Sequence, residues 1–113
     1  MKLSDLVNAG AFVSEVPIKK TVTWKHEDKE GKPVEHTFDV YVRKQSFGSI
    51  EVIYGTETDR SKMSKYISES ICDEKGAPVI PYERANALEP DLGMLLIGVI
   101  NDVNGIGKGQ AKN

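Results

Sequence analysis

Two stretches of strict apolar–polar alternation, separated by one polar turn, constrain this chain more than any other feature. From Val16 the sequence places Val16, Ile18, Val22, Trp24 and His26 on one face and Lys19, Thr21, Thr23, Lys25 and Glu27 on the other. Side chains alternate across a strand, so this period of two predicts a half-buried β-strand. Alternation resumes with Val34, His36, Phe38, Val40 and Val42 against Glu35, Thr37, Asp39, Tyr41 and Arg43. Between the two lies Asp28-Lys29-Glu30-Gly31-Lys32-Pro33, where Gly allows a positive φ and Pro stops the ladder. The prediction is an amphipathic hairpin. Both apolar sets sit at even positions, so they share a face only if even pairs with even, and the expected register sets Trp24 opposite Phe38.

A two-stranded ribbon is marginal alone, so something else must cover its apolar face. The rest of the chain offers mainly helices. Ser4 can cap a short helix over residues 4–10. Phe47, Ile50, Ile53 and Tyr54 follow helical spacing behind Ser46, although residues 50–54 would also suit a short strand. Between Thr58, an expected N-cap, and Cys72, the residues Met63, Tyr66, Ile67, Ser70 and Ile71 mark the clearest amphipathic helix. Asp73-Glu74-Lys75-Gly76-Ala77-Pro78 ends it, and Pro81 can open a further helix running through Tyr82 to Leu88. Asp91 is the expected cap of a last helix with Leu92, Leu95, Leu96, Val99 and Val103 along one face. The expected fold class is α+β: a short N-terminal helix, the hairpin, then three or four helices. Residues 1–104 are expected to form one domain. Residues 105–113 carry three glycines and little to bury, and are expected to form a flexible tail.

Charge and cysteine content narrow the partners. Fifteen basic residues against seventeen acidic ones leave a net charge of −2, with no basic run to neutralise a row of phosphates, so nucleic acid is not expected as a partner. Residues 94–100 form the longest strongly apolar stretch, far short of the roughly 20 residues that span a bilayer, so no membrane partner is expected either. A single cysteine, Cys72, excludes an intrachain disulfide and suits a reducing compartment. Residues 1–12 lack a signal peptide's apolar core, and export is not expected.

Catalytic and cofactor chemistry is sparse. His26 and His36 fall near the turn end of the hairpin, but two imidazoles do not make a closed ligand set, and no metal is expected. Residues 105–109 lack the spacing and the following helix of a phosphate loop. Cys72 stands at an expected helix C-terminus, where the dipole does not favour a thiolate. Asp73 and Glu74 are adjacent turn residues, which point apart rather than flank a substrate. The chain is expected to be no enzyme and to need no cofactor. One surplus remains: on a helical wheel Met94 and Ile97 fall away from the stripe led by Leu92, and an apolar second face on a small domain favours contact with another chain. Met94 and Ile97 are therefore the candidate partner-binding residues.

Three runs carry a family resemblance: Ser46-Phe47-Gly48-Ser49-Ile50-Glu51, residues 68–85 around Asp73-Glu74-Lys75-Gly76-Ala77-Pro78 and Tyr82-Glu83, and Leu88-Glu89-Pro90-Asp91-Leu92-Gly93-Met94-Leu95-Leu96. In order and spacing this resembles the tail assembly chaperones of lambda-like long-tailed bacteriophages. The resemblance implies a non-enzymatic protein that coats the tape measure protein, keeps it soluble and brings tail tube protein to it. It also implies absence from the mature virion; self-association is expected from the Met94 and Ile97 face, and residence in the host cytoplasm from the single cysteine and the lack of a signal peptide. Such families often make a longer form by programmed ribosomal frameshifting, through which the tail tube protein would be engaged; this chain resembles the short form. The competing expectation is a structural tail or head-tail joining component, which would use the same apolar surfaces in a permanent ring.

Overall fold

A computed structural model describes residues 2–55 and 61–105. In chain order the elements are α1 (Asp5–Asn8), β1 (Ile18–Glu27), β2 (Pro33–Val42), α2 (Phe47–Gly55), α3 (Lys62–Ser70), β3 (Ile71–Cys72), α4 (Tyr82–Asn86) and α5 (Pro90–Val103). The class is α+β, with the hairpin leading into helices as the alternation implied. Thr58 lies outside the described residues, as does the expected tail beyond Gly105.

The hairpin keeps the expected even-with-even pairing, but its register differs by one step. Trp24 pairs with His36 and Phe38 pairs with Val22, instead of Trp24 with Phe38. The turn decides this. The Asp28 carboxylate accepts from the N–H groups of Glu30 and Lys32 at 2.8 and 2.9 Å. Its own N–H donates to the Lys32 carbonyl at 2.9 Å, and Gly31 closes the loop at a φ of +79°. Residues 28–32 are therefore kept in the turn, and pairing that starts at Glu27 and Pro33 sets Trp24 opposite His36.

The same chemistry recurs at Asp73. Its carboxylate accepts from Lys75 and Ala77 N–H at 2.8 and 2.9 Å, its N–H donates to the Ala77 carbonyl, and Gly76 takes a φ of +87°. These backbone donors hold the Asp73 carboxyl below its ordinary range, since they favour the charged form. An Asp-x-x-Gly-x segment thus makes both sharp reversals.

The sheet has a third strand that periodicity did not reveal. Ile71 and Cys72 pair antiparallel with Val42 and Tyr41, giving the order β1-β2-β3. They were expected at the end of the amphipathic helix. That helix begins at Lys62, where the Ser61 hydroxyl accepts from Ser64 N–H, and it stops at Ser70. Ile71 then turns extended, and Arg43 N–H donates to the Ser70 carbonyl at 2.8 Å. Two helix starts also move. Pro81 stands at the cap position of α4 rather than inside it, and α5 opens with Pro90 in its first turn, with Asp91 inside the helix rather than capping it.

The core gathers Val42, Ile53, Tyr66, Ile67, Ile71, Ala85, Leu96, Ile100 and Val103, with Leu92, Ile97 and Val99 packed partly against it. The sheet base, α3 and α5 supply most of it. Tyr66 is buried with its hydroxyl donating to Asn101 Oδ1 at 3.1 Å, which satisfies the polar end of a large apolar ring. Gln45 ties the strand exit to both helices: its N–H donates to Asn104 Oδ1 at 2.8 Å, and its amide donates to Ser70 Oγ at 2.9 Å. Burial fades toward the hairpin tip. Val42 and Val22 are buried, whereas Trp24 and Phe38 are only half-buried. The ribbon projects, so the molecule measures 61 × 31 × 31 Å and its radius of gyration of 16.1 Å exceeds the roughly 13 Å of a compact chain this long.

Candidate partner-binding surface

Large apolar side chains that the core does not use are most exposed along two segments of the chain. The N-terminal segment exposes Leu3 (82%), Val7 (64%), Phe12 (68%) and Val16 (71%), and α1 buries nothing. Four helical residues are too few to build a stripe, so these side chains have no shared inner face. Helix α2 adds Phe47 (86%) and Val52 (61%), which flank its buried residue Ile53 on either side. The two segments are linked: Val13 and Glu15 share a groove of about 460 Å3 with Arg43, Lys44, Ser46 and Ser49 at the start of α2, and with Lys75. Ser46 begins α2 by accepting Ser49 N–H on its hydroxyl at 3.1 Å. This groove is mainly polar: Val13 is its one large apolar side chain, and Glu15 stands among the cations Arg43, Lys44 and Lys75.

The residues singled out in the sequence fall as follows. Met94 is 57% exposed on α5, while Ile97 is half-buried and packed against the core, so the two do not form one open face. Phe47 and Val52 were missed as surface candidates. The signal was present, because apolar residues at 47, 50, 52, 53 and 54 surround α2 rather than lining one side.

His26 and His36 do meet, with ring centroids 5.0 Å apart, and Trp24 stacks on His26 at 3.6 Å. Among the described residues no group of three or more His, Cys, Asp or Glu converges as metal ligands would. The stack covers aromatic surface on the ribbon, where Glu89 and Asp91 at the start of α5 line a cleft with Trp24 and His26. Cys72 is buried, its thiol donates to the Tyr41 carbonyl at 3.5 Å, and burial pushes its pKa up despite nearby Arg43. That environment disfavours a reactive thiolate. Among the described residues no helix is long and apolar enough to cross a membrane.

A small α+β protein with a tightly built base and unclaimed apolar surface has the character of one that holds other polypeptides. The match with a family model specifies which kind: residues 4–104 fit the family described as phage tail assembly chaperone, TAC, and the chain belongs to it. No curated protein and no solved structure matches significantly.

Proposed function

We propose that this chaperone binds the tape measure protein of its phage through the apolar surface of the N-terminal segment and α2, keeps it soluble, and brings tail tube protein to it. The observation that carries this reading is the exposure of Leu3, Phe12, Phe47 and Val52, large apolar side chains that the core leaves uncovered. Exposed apolar area of this kind is a cost to a protein that works alone, and an asset to one that shields a client. The chain is the short form of a lambda-like pair, acts in the host cytoplasm and leaves before the virion is complete. Copies of it associate with one another, with Met94 and Ile97 of α5 among the contacts, since a long client rewards repeated weak contacts.

Coexpression with the tape measure protein tests the reading. The full chain should keep that protein in the soluble fraction and copurify with it, and F47S/V52S should lose both effects while remaining folded. Equal recovery by the variant would reject this surface, and finding the chain in purified virions would turn the reading toward a structural tail component.

A further inference from the structure

The open edge of β1 is self-complementary in a register that pairs all five of its outward residues. Among the described residues β1 is the outermost strand of the sheet, paired only with β2 over its whole length. Because Asp28 N–H bonds back to Lys32, the even residues of β1 direct their backbone groups at β2. The odd residues Lys19, Thr21, Thr23, Lys25 and Glu27 therefore direct theirs outward. Among the described residues, no backbone group of β1 makes a backbone hydrogen bond outside this ladder. An unpaired edge of this length is a template for another strand.

We propose that a second copy of this chain adds to that edge, antiparallel, through a two-fold axis at Thr23. Only outward-facing residues can share a hydrogen-bonded pair, so odd must face odd. Thr23 opposite the partner's Thr23 then sets Thr21 opposite the partner's Lys25 and Lys19 opposite the partner's Glu27. Every outward group of the strand is used. Sliding one step toward the N-terminus sets Lys19 against the partner's Lys25, a repulsive pair, and brings Pro17, which has no N–H, into the ladder. Lysines normally deter pairing at an edge; here the alignment that uses the whole strand sets Lys19 opposite the oppositely charged Glu27.

The opposite edge of the sheet does not compete. β3 occupies the base of β2, and self-pairing of the remainder would set Glu35 and Asp39 against each other. The helix above β1 fits the same assembly. A cleft of about 560 Å3 brings Met94, Leu95 and Gly98 of α5 beside Thr21 along the open edge. A two-fold axis perpendicular to the sheet keeps both copies of α5 on one face and sets Met94, half-open to solvent in the single chain, toward the neighbouring helix.

This interface rests on the self-association proposed above and is independent of the client. Disulfide trapping tests it on the full chain, since antiparallel hydrogen-bonded residues lie about 5.5 Å apart between Cα atoms, within disulfide range. T23C should give a covalent dimer on mild oxidation, and Cys72, buried, should not contribute. T37C, exposed one strand inward, should remain monomeric. Charge reversal gives a second readout by sedimentation: K19E and E27K should each weaken the dimer about tenfold, since each opposes like charges twice. Mixing the two variants should restore it by recreating two opposite pairs. Crosslinking of T23C only when mixed with T37C would overturn the two-fold axis in favour of open-ended pairing. A dimer in sedimentation with no T23C crosslink and no charge effect would reject this edge, and a strict monomer throughout would reject self-association itself.

Discussion

Helices α2 and α3 have the same length, nine residues, yet the more apolar of the two is the less buried. Helix α3 carries Lys62, Ser64, Lys65, Ser68, Glu69 and Ser70 and still buries Ser64, Tyr66, Ile67 and Ser70. Helix α2 has a single charge, Glu51, and fully buries Ile53 alone. The difference is arrangement. In α3 the apolar and small residues recur on one side, so the helix can turn them inward together and leave its lysines in water. In α2 the apolar residues surround the axis, so no orientation buries them all against one neighbour. Hydrophobicity drives burial, but periodicity determines how much of it one chain can satisfy. What α2 leaves exposed becomes available to a partner.

The contrast can be broken most severely at Tyr66. Tyr66→Ala should cost about 4 kcal/mol, because a large ring leaves a cavity between α3 and α5; a denaturation midpoint close to that of the parent chain would mean α3 is not the centre of the core. Ile53→Ala should cost less, about 2 kcal/mol, since it sits under a helix held on one side. If the two losses proved equal, α2 would have to be docked as firmly as α3.

A gentler change sharpens the comparison through pH. Burial, reinforced by Tyr54, holds the Tyr66 phenol above its ordinary value of 10.0. The folded chain therefore keeps it neutral at a pH where the unfolded chain ionises it. Its contribution is complete below the unfolded value near 10 and is lost as pH climbs through the higher folded value. Tyr66→Phe should cost about 1 kcal/mol at neutral pH, from the lost bond to Asn101, and should lose less stability above pH 10 than the parent chain does. Equal alkaline slopes in thermal melts would place the titration elsewhere. Smallest of all should be the stability effect of F47S/V52S, within about 0.5 kcal/mol, as befits side chains already in solvent. A larger loss would mean that α2 packs its outer face after all.

Much of the architecture could be read from local chemistry. Alternation from Val16 and again from Val34 marked both strands, because a strand with one wet face needs period two. Asp28-x-x-Gly31 and Asp73-x-x-Gly76 marked the reversals, because a carboxylate and a residue tolerant of positive φ are all such a turn requires. Met63 through Ser70 marked α3. Less could be read of the exposed apolar surface: Met94, singled out by its place on a wheel, is exposed, but Ile97 on the same helix packs on the core, and the exposure of Phe47 and Val52 was passed over.

What the amino-acid sequence determined by itself was the kind and order of the hairpin strands and helices, the parity of the hairpin and the family, since each depends on neighbours in the chain or on residue order. The tertiary structure alone decided the register, the end of α3 and the fate of each apolar face. Ile71 has helical spacing relative to Ile67, and only the exposed edge of β2, some thirty residues earlier in the chain, draws it and Cys72 into a strand. Ile97 and Met94 are both apolar residues of α5, and only the placement of the core on one side buries the first and leaves the second open. Periodicity reports which side chains share a face; it carries no information about which face another element will reach.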